Sequence, residues 1–135
     1  MNNLKEALEE YNKTKFEFQS EDSLVVARRV ASKMKEYEEI LNKVFLFLIS
    51  AFKGKLRNDR KTPLVFHSIY GVRLLYLCNE RNLDTLLTSA LHDVFEDTDI
   101  SEETLLQQEF IKGKELIIKN LRILKEDKSL SREPD

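Results

Sequence analysis

The stretch SEDSLVVARRVASKMKEYEEI, residues 20–40, decides the class of fold. Leu24, Val25, Ala27, Val30, Ala31 and Met34 recur at three- and four-residue spacing. Side chains at that spacing share one face of an α-helix. Ser20 or Asp22 is placed to cap its first turn. The same period continues outward in both directions. Residues 2–18 read as a charged helix with Leu4, Ala7, Leu8 and Tyr11 on one stripe. Residues 37–53 read as a helix containing the apolar run VFLFLISAF at 44–52, buried on most sides and stopping near Gly54. A basic polar loop, 54–63, follows. Pro63 then opens a helix over about 64–79, because its fixed φ suits a first turn. NERNLD is a turn, and Asp84 is the expected cap of a helix over about 85–96. DTDIS is a second turn, and Ser101 caps EETLLQQEF. A last helix is expected over about 112–125, with KEDKSLSREPD as a polar tail. No stretch alternates apolar and polar residues between hairpin turns, so no strand is expected. The predicted fold is all-α, a compact bundle of about six or seven helices.

Bulk properties agree and narrow the function. The 135 residues suit one domain, and 41% hydrophobic residues can fill a core. Three Gly, two Pro and 34% charged residues favour helices. With 22 basic and 24 acidic residues the net charge is −2, which gives no reason to expect a nucleic-acid or membrane partner. The apolar run 44–52 is too short to span a bilayer, and MNNLKEALEEYNK lacks the apolar region of a signal peptide. A cytoplasmic protein is expected. The single cysteine, Cys78, excludes a disulfide framework and a thiolate zinc site, and its apolar neighbours place it in the core.

One segment resists a packing explanation. SALHDVFEDTDIS, residues 89–101, holds His92, Asp93, Glu96 and Asp97, one of the chain's two histidines among three acids. On a continuous helix His92 shares a face with Glu96, and Asp93 with Asp97. Like charges so spaced repel, and a divalent cation would compensate them. The other histidine, His67, has Tyr70, Gly71 and Leu74 on its own helical face, and antiparallel pairing of the two helices would bring it to the same place. Imidazole and carboxylate together suit Mn²⁺, Fe²⁺ or Zn²⁺. Taken singly these features have plainer readings. His-Asp is an acidic helix end, His67 a hydrogen-bonded core histidine, and the loop basics a solvated face. Their order and spacing taken together favour a site.

With its spacing, AFKGKLRNDRKTPLVFHS (residues 51–68) followed by SALHDVFEDTDISEETLLQQEF (89–110) resembles the HD-domain superfamily of metal-dependent phosphohydrolases. Within it, the chain is similar to the RelA/SpoT-type branch that hydrolyses guanosine polyphosphate alarmones of the stringent response. Gly54, Arg57, Pro63, His67, His92-Asp93 and Glu96-Asp97-Thr98 fall in the family's order. The resemblance covers roughly residues 37–133. It implies an HD-type domain over 37–135, with residues 1–36 as an N-terminal helical extension packed on it. It implies His67, His92 and Asp93 as ligands of Mn²⁺ or another divalent metal, and Glu96 and Asp97 as the residues that position or activate water. It implies Arg57 as a contact to guanine, and makes Lys53, Lys55, Arg60 and Lys61 candidate contacts to phosphate. The implied reaction is hydrolysis of the 3′-diphosphate of (p)ppGpp to pyrophosphate and GDP or GTP. Phe52, Lys55 and Leu64 depart from the family's usual His, Gln and Tyr, and the loop NDRKT is not its usual base-reading sequence. The family's fourth metal ligand, an Asp on a later helix, has no counterpart, because the chain stops at Asp135 before that helix. The expectation is therefore a truncated or impaired form of the enzyme. The alternatives are a non-catalytic HD-like module that binds nucleotide or protein, and a phosphohydrolase of another nucleotide.

Overall fold

The computed structural model describes residues 3–131, and the side chains of residues 4–125. Residues 132–135, including the end of the expected polar tail and Asp135, lie outside the described residues. The described chain is all-α. Six helices of nine residues or more carry the architecture: α1 (Asn3–Ser20), α2 (Ser23–Ser32), α3 (Glu38–Ala51), α4 (Val65–Leu77), α5 (Leu83–Leu91) and α8 (Glu115–Ser131). Two short ones, α6 (Val94–Asp97) and α7 (Glu102–Leu106), and two 3₁₀ turns complete it. The only β-type pairing among the described residues is an isolated bridge between Leu56 and Pro63.

The elements start where side chains satisfy orphan amides. Asp22 accepts from the Leu24 amide at the start of α2, and Ser101 accepts from the Thr104 amide at the start of α7. The cap of α5 is Asn82, whose side chain accepts from the Thr85 amide. The expected cap, Asp84, instead lies in the first turn, where its charge faces the positive end of the helix dipole. The final helix begins at Glu115 and not near 112, because Gly113 adopts φ +77°, a left-handed conformation outside the helical region. It also continues past residue 125, to Ser131, where the sequence suggested a tail.

One core runs through the bundle. Phe18 and Val26 from the first two helices join Leu41, Leu48, Phe66, Leu86, Leu91, Leu105, Ile117 and Leu121 in a single buried cluster. Each such side chain stabilises the fold by about 1.5–3 kcal/mol. The inward face of α1 differs from the expected stripe. Ala7 and Tyr11 do face inward, with Thr14 and Phe18, whereas Leu4 and Leu8 are exposed. The aromatic pairs decide this. Tyr11 meets Phe66 and Tyr70 edge-on at 5.4 and 5.2 Å, and Phe18 meets Phe66 at 5.1 Å. Two polar contacts fix α1 on α4. The Tyr70 hydroxyl donates to the Ala7 carbonyl at 3.0 Å, and buried Arg73 donates to both carboxylate oxygens of Glu10 at 2.7 and 3.1 Å. Cys78, expected in the core, is exposed beyond the last residue of α4.

Candidate metal centre

α4 and α5 form a hairpin joined by the short connection 78–82. This pairing brings the two histidines together, with ring centroids 6.2 Å apart. The helix expected over 85–96 is not continuous. α5 ends at Leu91, and α6 starts at Val94. His92 and Asp93 occupy the junction, Asp93 with φ −94° and ψ −1° at the edge of helical space. The His92 ring takes part in the break, since its Nδ1 lies 2.5 Å from the Ser89 carbonyl. A side chain that bonds the preceding turn competes with the backbone ladder. Beyond the break, Asp97 N–H donates to the Asp93 carbonyl at 2.9 Å, so the turn carrying both acids is helical again.

The three expected ligands converge. Asp93 Oδ2 lies 3.1 Å from His92 Nε2 and 3.5 Å from His67 Nε2. One donor atom from each of His67, His92 and Asp93 lies within 4.8 Å of the others, a spacing that a single divalent ion can bridge. The chemistry of the donor set fits such an ion. A backbone carbonyl only accepts, so His92 Nδ1 is the N–H of that contact, and Nε2 is the ring nitrogen turned toward Asp93. Burial of part of its ring holds His67 below the ordinary imidazole pKa. Arg57 and His92 act in the same sense, and Asp93 and Asp97 oppose them. The shift favours the neutral imidazole of His67, the form that offers a lone pair to a metal.

His67 and Asp93 open onto a cleft of about 560 Å³ that they line together with Asp97 and Arg57, whereas His92 lines a separate pocket that His67 also borders, with Gly71, Leu74 and Ser89. Glu96 is exposed and does not line it. Lys53, Lys55, Arg60 and Lys61 are likewise exposed and outside its lining, so Arg57 is the one expected substrate contact that the fold places there. Leu64 also lines the cleft, whereas Phe52 is buried in the core.

The loop over 54–63 forms the lip of the cleft. The Leu56–Pro63 bridge closes its base, with Arg57 N–H donating to the Thr62 carbonyl at 2.8 Å. Asp59 organises its tip. Asp59 Oδ1 accepts from the amides of Lys61 and Thr62, both at 2.8 Å, and Oδ2 accepts from the Thr62 hydroxyl at 2.6 Å. These bonds, led by that of the Thr62 hydroxyl, hold the Asp59 carboxyl far below the usual carboxylate range. Gln19 of α1 donates to Thr62 Oγ1 at 2.9 Å and to Asp59 Oδ2 at 3.3 Å, tying the lip to α1.

Sequence reasoning missed the contribution of α1. Tyr11 and Lys15, one helical turn apart, line the same cleft. The available signal was Lys15 itself, a cation four residues after Tyr11 on the inward-facing side of the helix. Compared with protein-family models, with curated proteins and with solved structures, the chain finds no match in any of the three.

Proposed function

We propose that the chain is a metal-dependent phosphohydrolase acting on guanosine polyphosphate, cleaving the 3′-diphosphate of (p)ppGpp to pyrophosphate and GDP or GTP. The observation that carries this reading is the convergence of His67, His92 and Asp93, two of which, His67 and Asp93, line a cleft that also presents Arg57 and Asp97. The nucleotide class rests on the motif resemblance. His67, His92 and Asp93 would hold the ion, Mn²⁺ by preference. When bound, such an ion supplies positive charge that polarises phosphoryl oxygens and acidifies water.

The remaining roles belong to side chains of the cleft. The Arg57 guanidinium, which the resemblance implies faces guanine, offers the nucleotide a planar fork of N–H donors. Asp97 accepts the proton of the attacking water. Water adds to the phosphorus next to the ribose 3′-oxygen, and the bond to that oxygen breaks. Pyrophosphate leaves, and the 3′-hydroxyl takes up a proton. Two cations, Lys15 and Arg57, face three carboxylates, Asp59, Asp93 and Asp97, around the cleft. Alone this set disfavours a polyanion, and a divalent ion reverses the sign. Nucleotide affinity should therefore depend on metal.

The sparse set of cations in the cleft favours one other reading, a non-catalytic module that binds a less charged ligand. Pyrophosphate release from ppGpp by the purified chain with Mn²⁺ separates the two. Release that disappears in His92→Ala supports the hydrolase, and no release from a folded chain gives the binding module precedence.

A further inference from the structure

We infer that α1 supplies part of the ligand-binding wall, with Lys15 contacting the phosphate groups of a bound polyanion and the Tyr11 hydroxyl contacting the same ligand. This rests on the proposed reading of the cleft as a nucleotide site.

Lys15 lines the cleft together with Arg57, Asp93 and Asp97. Its one close partner among the described residues is Asp59 Oδ2, at 3.9 Å. That is an ion-pair distance and too long for a hydrogen bond. Asp59 does not need it, because its two oxygens already accept from two amides, the Thr62 hydroxyl and Gln19. The ammonium therefore keeps its three donors for another acceptor, and the lysine stem lets it reach one. Tyr11 is in the same position. Its ring is held edge-on by Phe66 and Tyr70, yet no hydrogen bond of its hydroxyl is found among the described residues, and the residue lines the cleft. A rigid ring carrying a hydroxyl at a polar cleft is suited to ligand contact. Lys15 and Arg57 are the two cations of the cleft, so loss of Lys15 halves its fixed positive charge.

The test compares Lys15→Met, Lys15→Arg and Tyr11→Phe with the unaltered chain, and with Lys13→Met, an exposed lysine of the same helix outside the cleft. Mn²⁺ affinity, ppGpp affinity of the Mn²⁺-loaded chain and steady-state pyrophosphate release are measured for each. Lys15→Met should weaken ppGpp binding and raise KM about tenfold or more, with kcat within about threefold and Mn²⁺ affinity unchanged. Lys15→Arg should restore most of the loss, and Tyr11→Phe should cost about threefold in binding. Equal ppGpp affinity in Lys15→Met and Lys13→Met overturns the inference. If the unaltered chain neither binds nor hydrolyses ppGpp, the guanosine polyphosphate reading fails, and tripolyphosphate binding by the Mn²⁺-loaded chain decides the role of α1. Weaker binding in Lys15→Met upholds it. Equal binding, or none by the unaltered chain, overturns it.

Discussion

The two arms of the candidate metal centre are built in opposite ways. His67 stands on α4, inside an unbroken helix, with about half of its side chain exposed and Asp93 as its close polar neighbour at 3.5 Å. His92 and Asp93 stand at an interruption between α5 and α6, where His92 is oriented by the Ser89 carbonyl and Asp93 is 13% exposed. One arm is a regular element whose position comes from packing. The other is an irregular junction whose position comes from hydrogen bonds. Donors fixed before an ion arrives lose less freedom on binding it, so the junction should dominate affinity.

Substitutions can break this contrast. Asp93→Ala or His92→Ala should lower Mn²⁺ affinity on the order of 100-fold or more, since even outer partners of a metal site are worth 10–100-fold. His67→Ala should cost less, on the order of tenfold, because water can take an exposed position. Metal titration by calorimetry measures all three, and equal losses would dissolve the distinction between the arms.

The packed arm has its own point of failure. Arg73→Met leaves the Glu10 carboxylate on the α1–α4 contact without its bidentate partner. It should destabilise the fold by about 3 kcal/mol in a denaturant titration. The pH dependence follows. Burial pushes the Glu10 carboxyl up, but the hydrogen bond and charge of Arg73, with Lys33, outweigh it and leave the pKa below 4.5. Stability from this group is present above pH 4.5 and is lost as pH falls through the lowered folded value. Arg73→Met should flatten that acid limb.

On the junction side, Asn82→Ala removes the N-cap of α5 and should cost about 1 kcal/mol. Nearest to neutral is Cys78→Ser, at the exposed end of α4, which should stay within about 0.5 kcal/mol. The native thiol should also react with an aromatic disulfide reagent without unfolding.

The same contrast explains what was legible in the sequence. The helical class was plain because the 3.6-residue period is local. Val30, Ala31 and Met34 face the core as that period requires. The convergence of His67 with His92 was legible through short connections and facing apolar stripes. The break at His92-Asp93 was not, because neither residue forbids a helix, and a ring bonded to a carbonyl three residues back leaves no compositional trace. Asn82 and Asp84 are both good caps, and only the backbone path into α5 chooses between them. The apolar neighbours of Cys78 hid its place past the helix end. Lys15 reaches the cleft because Glu10 meets Arg73 across 63 residues of chain. The four-residue spacing from Tyr11 puts Lys15 on the inward side of α1, but no local pattern reports which cleft that side meets.

The lip of the cleft has a kinetic consequence. Its base is closed by the Leu56–Pro63 bridge and its tip is gathered around Asp59, so the ten residues from 54 to 63 are folded before any ligand arrives. A flexible lip would have to be ordered during or after encounter, and such a step slows association. The contacts of this lip should shorten that step. Capture at this cleft would be limited by diffusion and orientation, and ligands would differ mainly in how long they stay.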